Sequence, residues 1–413
     1  MADIRPFVAI RPAKEYAKDI AALPYDVYNR EEACVEVKDK PNTFLRIDRA
    51  ETNFDSSVDT YDEKVYKKAD ELLHTMIDDG RFIRDSKPCY YIYELTMGDH
   101  TQTGIVAVSS VDDYDNGVIK KHENTLAEKE IDRINHVDKC SAQTGPVFLA
   151  YRERTTIDEV VLRIKNGEPE YDFTSDDGVN HRVFVIDNPE DVDIIRKEFA
   201  DTDAIYIADG HHRAASAVKV SKMRRKAKGK YTGDEEFNYF LSVLFPDDQL
   251  MILDYNRVLK DMNGHNLDEL FDKMSEYFEL TNVDDEPIRP SKKGEVSLFD
   301  GTQWRLYKIK IEYTSDDPVD GLDVSLLQEL ILEPFFGIID PKADDRIDFV
   351  GGIRGLEELE RRVKSDCKVA FAMYPTDITE LFDVADASRL MPPKSTWFEP
   401  KLRSGLFIHE IER

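Results

Sequence analysis

Apolar positions in this chain follow two rhythms. Between 60 and 79, Val65, Leu72, Leu73, Met76 and Ile77 recur at helical spacing, and Gly80 supplies a stop. "CYYIYELTM" (89–97) and "GIVAVSSV" (104–111) are strand-like, and the polar link "GDHTQT" suits a hairpin. Thr125 with Glu128 three residues on forms a capping box, which predicts a helix starting there. "PVFLAY", "RVFVID" and "AIYIA" are continuous apolar runs and predict buried strands. The charged stretch from Arg152 to Asn180 between them is expected to lie on the surface. After Asp209, the residues Ala214, Ala217, Val218 and Ser221 fall at i, i+3, i+4 and i+7. That small-residue face predicts a helix packed closely on a sheet. "FNYFLSVLF" and "MILDYNRVL" follow as an expected strand pair.

From about Gly264 the pattern changes to helix, strands ("EVSLFD", "RLYKIKI"), helix ("DVSLLQELI"), then "KVAFAMYP" and a last helix. The mixture predicts an α+β (mixed α/β) class. It also predicts two regions, 1–260 and 261–413, with no linker or repeat marking the seam.

Composition narrows the function classes. The 413 residues are 41% hydrophobic, enough for two or three cores. The net charge of −28 opposes nucleic-acid backbones. The basic run "KMRRKAKGK" sits where a helix end favours cations, so it is expected to be solvated. Cys34, Cys89, Cys140 and Cys367 show no metal or disulfide spacing. No apolar run reaches membrane-spanning or signal-peptide length. A soluble, cytoplasmic protein acting on small molecules, with neither nucleic-acid nor membrane partner, is the expectation. Oligomeric state is left open.

The chemistry concentrates in "YIADGHHRAA" (206–215). Gly210 permits a reversal and close approach of a ligand. The amides of Gly210 to Arg213 would open a helix, where they lack intrahelical partners and favour an anion. Arg213 adds a planar fork matched to phosphate. Asp209 has three open roles: capping the helix, holding a metal, or orienting a histidine. His211 and His212 lie about 100° apart on a helix, so both cannot serve one ligand from a regular helix. A second stretch, "KKHENT" (120–125), holds His122 and Glu123 just before the expected helix start, where a carboxylate stays ionised and can accept a proton. Asp132 and Arg133 beyond it read as an ordinary surface pair. A third, "MPPKSTWFEPKLRSG" (391–405), brings Lys394, Lys401 and Arg403 with the hydroxyls of Ser395 and Thr396. It lacks the glycine frame of a Walker loop. "LPYDVY" and "NTFLRIDRAE" near the start are polar–aromatic turns, and "DFVGGIRG" (348–355) lacks a dinucleotide frame; a structural role is expected for each.

"RPFVAIRP", "PYDV", "KHENT", "QTGPVFLAY", "ADGHHRAA" and "MPPKSTWFEPKLRSGL" occur in the order seen in a widespread bacterial family, catalogued as domain of unknown function 1015. The chain resembles that family over nearly its whole length. The strand–DGHHR–helix motif also resembles the ParB/sulfiredoxin-like fold, and within it the free-serine kinases. That resemblance implies a ParB/sulfiredoxin-like core with additional N- and C-terminal α/β segments. It implies transfer of phosphate from ATP or ADP, with Mg²⁺, to L-serine, giving O-phospho-L-serine. It implies Glu123 as base, and Asp209, His211, His212 and Arg213 at the phosphates and metal, with Asp209 as metal ligand. Gly210, Lys394, Ser395, Thr396, Lys401 and Arg403 are the expected phosphate or nucleotide contacts. His122, Asn124 and Thr125 are the expected substrate contacts. Sulfiredoxins carry a catalytic cysteine where His211 stands here, and ParB proteins carry a DNA reader that this chain lacks. A regulatory protein that binds a nucleotide without turnover, or a phosphate hydrolase, would use the same turn.

Overall fold

Alternation in the N-terminal half resolves into one nine-stranded sheet in the computed structural model, which describes residues 1–412. Its strands are β1 (Ile4–Arg5), β2 (Tyr90–Met97), β3 (His100–Ser110), β4 (Ile119–Lys120), β5 (Val147–Tyr151), β6 (Tyr171–Thr174), β7 (Asn180–Ile186), β8 (Ile205–Asp209) and β9 (Tyr239–Pro246). The order is β4-β8-β5-β9-β3-β2-β7-β6, with β1 on β3. Most pairs are antiparallel; β4–β8 and β5–β9 are parallel. The protein is a mixed α/β fold.

Five helices matter for the site: α1 (Glu63–Asp78), α2 (Ala127–Cys140), α3 (Thr155–Lys165), α4 (Pro189–Ala200) and α5 (His211–Lys228). The small-residue face of α5 packs as its spacing requires, with Ala214, Ala217, Val218 and Ser221 all buried. Ile157 and Val160 of α3 and Ile195 and Phe199 of α4 join the same core under the sheet. A second cluster gathers Val65, Ala69, Leu73 and Met76 of α1 with Ile10, Phe44, Phe82 and Ile408. Each large apolar side chain buried this way stabilises by roughly 1.5–3 kcal/mol.

Three local expectations are corrected. The hairpin link is only Gly98–Asp99, because β3 already starts at His100. The stretch after Arg152 is not all surface excursion. It forms α3 and β6, since Ile157 and Val160 supply an apolar face among its charges. α2 begins at Ala127, and its N-cap Leu126 has no side-chain cap bond. Thr125 Oγ1 instead donates to Glu130 Oε2 at 2.8 Å.

The chain forms two compact units: residues 1–250 with the segment from Pro400 onward, and Met251–Glu399. "FNYFLSVLF" and "MILDYNRVL" therefore do not pair; they fall in separate sheets. The last segment rejoins the first unit through main-chain bridges, Ser404 to Ala22, Ile408 to Ile10 and His409 to Gln143. The stretch expected as one C-terminal region is thus divided at Pro400. The second unit is built on a six-stranded antiparallel sheet. Its strand order is 278–284, 304–309, 295–299, 369–373, 255–259, 347–351. Met274, Leu298 and Phe371 lie in its core.

Close packing of β3 against β9 depends on Gly104. A Cβ there would lie 2.7 Å from Val243 Cγ1 and 2.8 Å from the Phe245 ring. Gly104→Ala is expected to destabilise by about 1–3 kcal/mol, as overpacking does, read as a lower urea midpoint. An unchanged midpoint would show that the sheet yields there.

Candidate functional site

Two short parallel strands build the site. Ile205 and Tyr206 of β8 pair with Ile119 and Lys120 of β4. Parallel neighbours leave the sheet at the same end, so the segment after Lys120 and the turn after Asp209 emerge together. β8 also pairs with β5, and its register slips between Ile207 and Asp209. Such a bulge bends the strand end and re-aims its side chains. Gly210 then adopts φ 95°, and a Cβ there would meet Arg213 Nε at 3.2 Å. Only glycine turns here without strain. The first helical bond runs from Ala214 N–H to Gly210 C=O. The amides of His211, His212 and Arg213 precede it, as an anion site at a helix start requires.

The adjacent histidines hold the other segment. His122 N–H donates to His211 Nε2 at 3.4 Å, a long bond, and Leu126 N–H donates to His212 Nε2 at 3.0 Å. One histidine grips each end of residues 122–126. The rings of His122 and His211 also meet edge to face, centroids 4.5 Å apart. A nitrogen that accepts must be unprotonated, and the surroundings keep it so. Burial, then the neighbouring His122, lowers the His211 pKa well below the ordinary value. Burial, then Lys129, lowers that of His212. Burial takes His122 down to about 4, against the pull of Asp209 and the Ile207 carbonyl.

Asp209 is the charged centre. Burial opposes its ionisation, yet Lys401 and Arg213 hold its carboxyl below the usual carboxylate range. Lys401 Nζ lies 3.0 Å from Oδ2. Of its three open roles, capping is not used: the N-cap is Gly210, without a side-chain bond. Burial works against the Arg213 charge, but Asp26 and Asp209 raise its pKa. Its Nη1 donates to the Pro146 carbonyl. Among the described residues, no group of three or more His, Cys, Asp or Glu converges to hold a metal ion. Asp209 is a single carboxylate, which suits a cation that brings most of its ligands on phosphates and water.

The other expected residues divide. Glu123 is half-buried on the gripped segment, and Asn124 is exposed. Thr125 is spent on Glu130, so its hydroxyl serves the start of α2. Lys401 reaches the turn. Arg403 is committed elsewhere: its guanidinium donates to Asp177, to Ser175 Oγ at 3.1 Å and to His181 Nε2 at 3.3 Å. Lys394, Ser395 and Thr396 belong to the second unit. There the Lys394 carbonyl accepts from Arg257, and Ser395 Oγ donates to the Pro392 carbonyl at 2.6 Å. Asp132 and Arg133 are not a surface pair. They are 9% and 7% exposed, and sequence spacing alone passed them over.

A family model described as "Protein of unknown function (DUF1015)" matches residues 4–325. The chain belongs to this family. No curated protein matches it. Among solved structures, the chain is similar to a free serine kinase in complex with AMP, at 14% identity and a TM-score of 0.35, over 75% of this chain and 91% of that one. It is also similar to a variant of a free serine kinase in complex with ADP, at 13% identity and a TM-score of 0.36, over 75% and 92%. A third is SbnI with C-terminal truncation from Staphylococcus aureus, at 11% identity and a TM-score of 0.35, over 72% and 85%. Overlaps this loose are likenesses only. No helix of the described residues is long and apolar enough to cross a membrane.

Two outcomes follow from the histidines. His212→Ala removes the acceptor of Leu126 N–H, a bond worth about 1 kcal/mol. Hydrogen exchange at 122–126 should quicken roughly five-fold while the protection of α5 stays; equal exchange would show that the bond holds nothing. His122, with a folded pKa near 4, and His181, lowered to about 3 by burial and then Arg403, bind fewer protons folded than unfolded. Their contribution to stability is full above about 6.5 and is lost as pH falls through 6.5 toward those values. The urea midpoint should drop between pH 6.5 and 5, and less so in His181→Gln. A flat profile would contradict the buried neutral rings.

Proposed function

We propose that this protein is a small-molecule kinase, transferring a phosphoryl group from ATP or ADP to a free hydroxyl amino acid, L-serine first. The observation that carries the reading is the joint exit of β4 and β8. It sets a carboxylate-bearing segment beside a helix-start anion site with Arg213 and Lys401. Phosphoryl transfer asks little covalent work of a protein; it asks for positioning and charge neutralisation.

In this reading, the amides of His211 to Arg213 and the Arg213 guanidinium receive the nucleotide phosphates. Mg²⁺ would be held by Asp209 and the phosphates, where it neutralises charge. Glu123 takes the proton of the acceptor hydroxyl as that oxygen bonds to phosphorus. The bond from phosphorus to the nucleotide oxygen breaks, and the nucleotide leaves one phosphate shorter. His211 and His212 are positioning residues, acting through the segment that carries Glu123. The DGHHR and HENT resemblance to free-serine kinases supports the choice of acceptor.

Phosphorus NMR of the pure protein with Mg²⁺, L-serine, and ATP or ADP in separate tubes tests this reading. O-phosphoserine is expected, and Asp209→Asn should abolish it. Glu123→Gln should cut turnover by roughly 10²–10⁴, as loss of a general base does, and leave nucleotide affinity unchanged. Nucleotide consumed without an acceptor product would make the protein a hydrolase. Nucleotide bound but intact would make it a regulatory binding protein.

A further inference from the structure

The helix that follows the candidate base is inside out. An ordinary surface helix buries its apolar stripe and shows its charges. α2 leaves Ile131 58% exposed, yet buries Asp132, Arg133 and His136 to 9% exposure or less. With Lys129 they stand at i, i+3, i+4 and i+7, a polar stripe that walls a cavity of about 210 Å³. A buried polar face needs partners, and "RIDRAE" supplies two of them from its main chain. His136 Nε2 donates to the Ile47 carbonyl at 3.2 Å, and Arg133 Nη2 makes a longer bond, 3.5 Å, to the Asp48 carbonyl. Arg133 Nη2 also lies 2.7 Å from Asp132 Oδ2, and its guanidinium stacks over the Tyr25 ring at 4.0 Å. Tyr66 OH donates to the other Asp132 oxygen at 3.0 Å. The backbone at 47 and 48 is therefore the dock for the polar face of α2.

The side chain of Asp48 serves a different neighbour. It is buried, and its Oδ1 accepts from Thr144 Oγ1 at 2.9 Å. It also walls a second, smaller cavity of about 30 Å³, together with Arg133, Thr144 and Arg213. That is room for one water, with polar groups enough to hold it. Asp48 thus stands between two guanidiniums, one from α2 and one from α5. Burial opposes both charges, and Asp48 is among the groups that retain them. Arg213 has need of such a hold, because a guanidinium reads a phosphate only when its fork is fixed. Neutral contacts fix part of it. A Cβ on Gly210 would lie 3.2 Å from its Nε, a Cβ on Gly145 would lie 3.7 Å from its Cδ, and its Nη1 donates to the Pro146 carbonyl. Three carboxylates act on its charge. Asp26 is exposed, and Asp209 is shared with Lys401. Asp48 alone of the three is itself fixed, by a hydroxyl on its side chain and by α2 on its backbone.

We propose that Asp48 is a positioning residue of the phosphate turn. It orients Arg213 across the small cavity and ties it to α2, the helix that follows the segment carrying Glu123. The fork and the candidate base are thereby held to one carboxylate. That Arg213 receives a phosphate rests on the kinase reading; the tie between Asp48 and Arg213 rests on the packing alone.

Phosphorus NMR titration with ADP, which reads weak as well as tight binding, tests it on four full-length proteins. They are the wild type, Asp48→Asn, Arg213→Gln and the double variant, each checked for folding by a thermal melt. Asp48→Asn should weaken ADP roughly ten-fold in the wild-type background, as coupled groups do, and change nothing where Arg213 is already Gln. A purely structural role would weaken ADP in both. Equal loss in both backgrounds, or no loss in either, would overturn the proposal. Asn at 48 leaves buried guanidiniums without their carboxylate and can unfold the chain. Thr144→Val, which takes only the hydroxyl from Asp48, is therefore the second variant. Its loss of ADP affinity should also vanish with Arg213→Gln, and a loss that persists there would overturn the proposal. A wild type that binds no ADP would remove the kinase reading, and the urea midpoints of the same proteins would then decide the tie. Midpoint shifts that do not add would keep it; additive shifts would overturn it.

Discussion

Everything at the candidate site depends on two residue pairs of parallel sheet, Ile119 with Ile205 and Lys120 with Tyr206. Parallel pairing cannot be made by a hairpin; it needs a crossover. Here the crossover includes α2, β5, α3, β6, β7 and α4, and it returns the chain to the edge of the same sheet. The return places the segment that carries Glu123 and the turn that starts α5 at one end of adjacent strands. Neither stretch has a site without the other.

The short pairing is weak alone, and side chains reinforce it. His211 and His212 follow Gly210 directly, so the turn that makes the helix start also aims two imidazoles at residues 122–126. They accept backbone N–H groups only while neutral, and burial is the first cause of neutrality in each. The same burial would cost the Asp209 charge, which Lys401 and Arg213 retain. Lys401 arrives from the far end of the chain. Its segment is pinned by main-chain bridges to Ala22, Ile10 and Gln143 and by the buried Arg403–His181–Ser175–Asp177 network. Arg403 thereby supports the site by anchoring Lys401, its own guanidinium being spent on Asp177 and Ser175.

α2 links this turn to the polar cavity. Its outer end carries Leu126, gripped by His212, and its inner face carries Asp132, Arg133 and His136. Ser216 of α5 donates to the Glu130 carbonyl at 3.3 Å, and Lys219 pairs with the Glu130 carboxylate. A helix packed by polar contacts on one side and lining a cavity on the other forgoes much of its apolar burial. The first unit supplies that stability elsewhere, through the sheet core and the cluster around α1.

Periodicity by itself determined β2, β3, β5, β7, β8 and β9 of the large sheet, the span of α1 and the packed face of α5, because local pattern and burial agree there; β1, β4 and β6 are too short or too polar to show a pattern. The glycine turn and the helix start of DGHHR were also legible, since both are local features. What the chain could not show locally was who meets whom. The partners of His211 and His212 lie 85 or more positions away. Arg403 and Lys401, two residues apart, go to different carboxylates. The break at Met251 separates two apolar runs that look alike as strands, because strand pattern records burial and not the neighbour. Asp132 and Arg133 look like a surface pair for the same reason: charge predicts exposure unless the fold supplies matching charges. Here the two match each other, and Tyr66 and Tyr25 complete the pair with a hydrogen bond and a ring face. Sequence set the elements and the chemical groups; the crossover and the returning C-terminal segment decided which groups share a site.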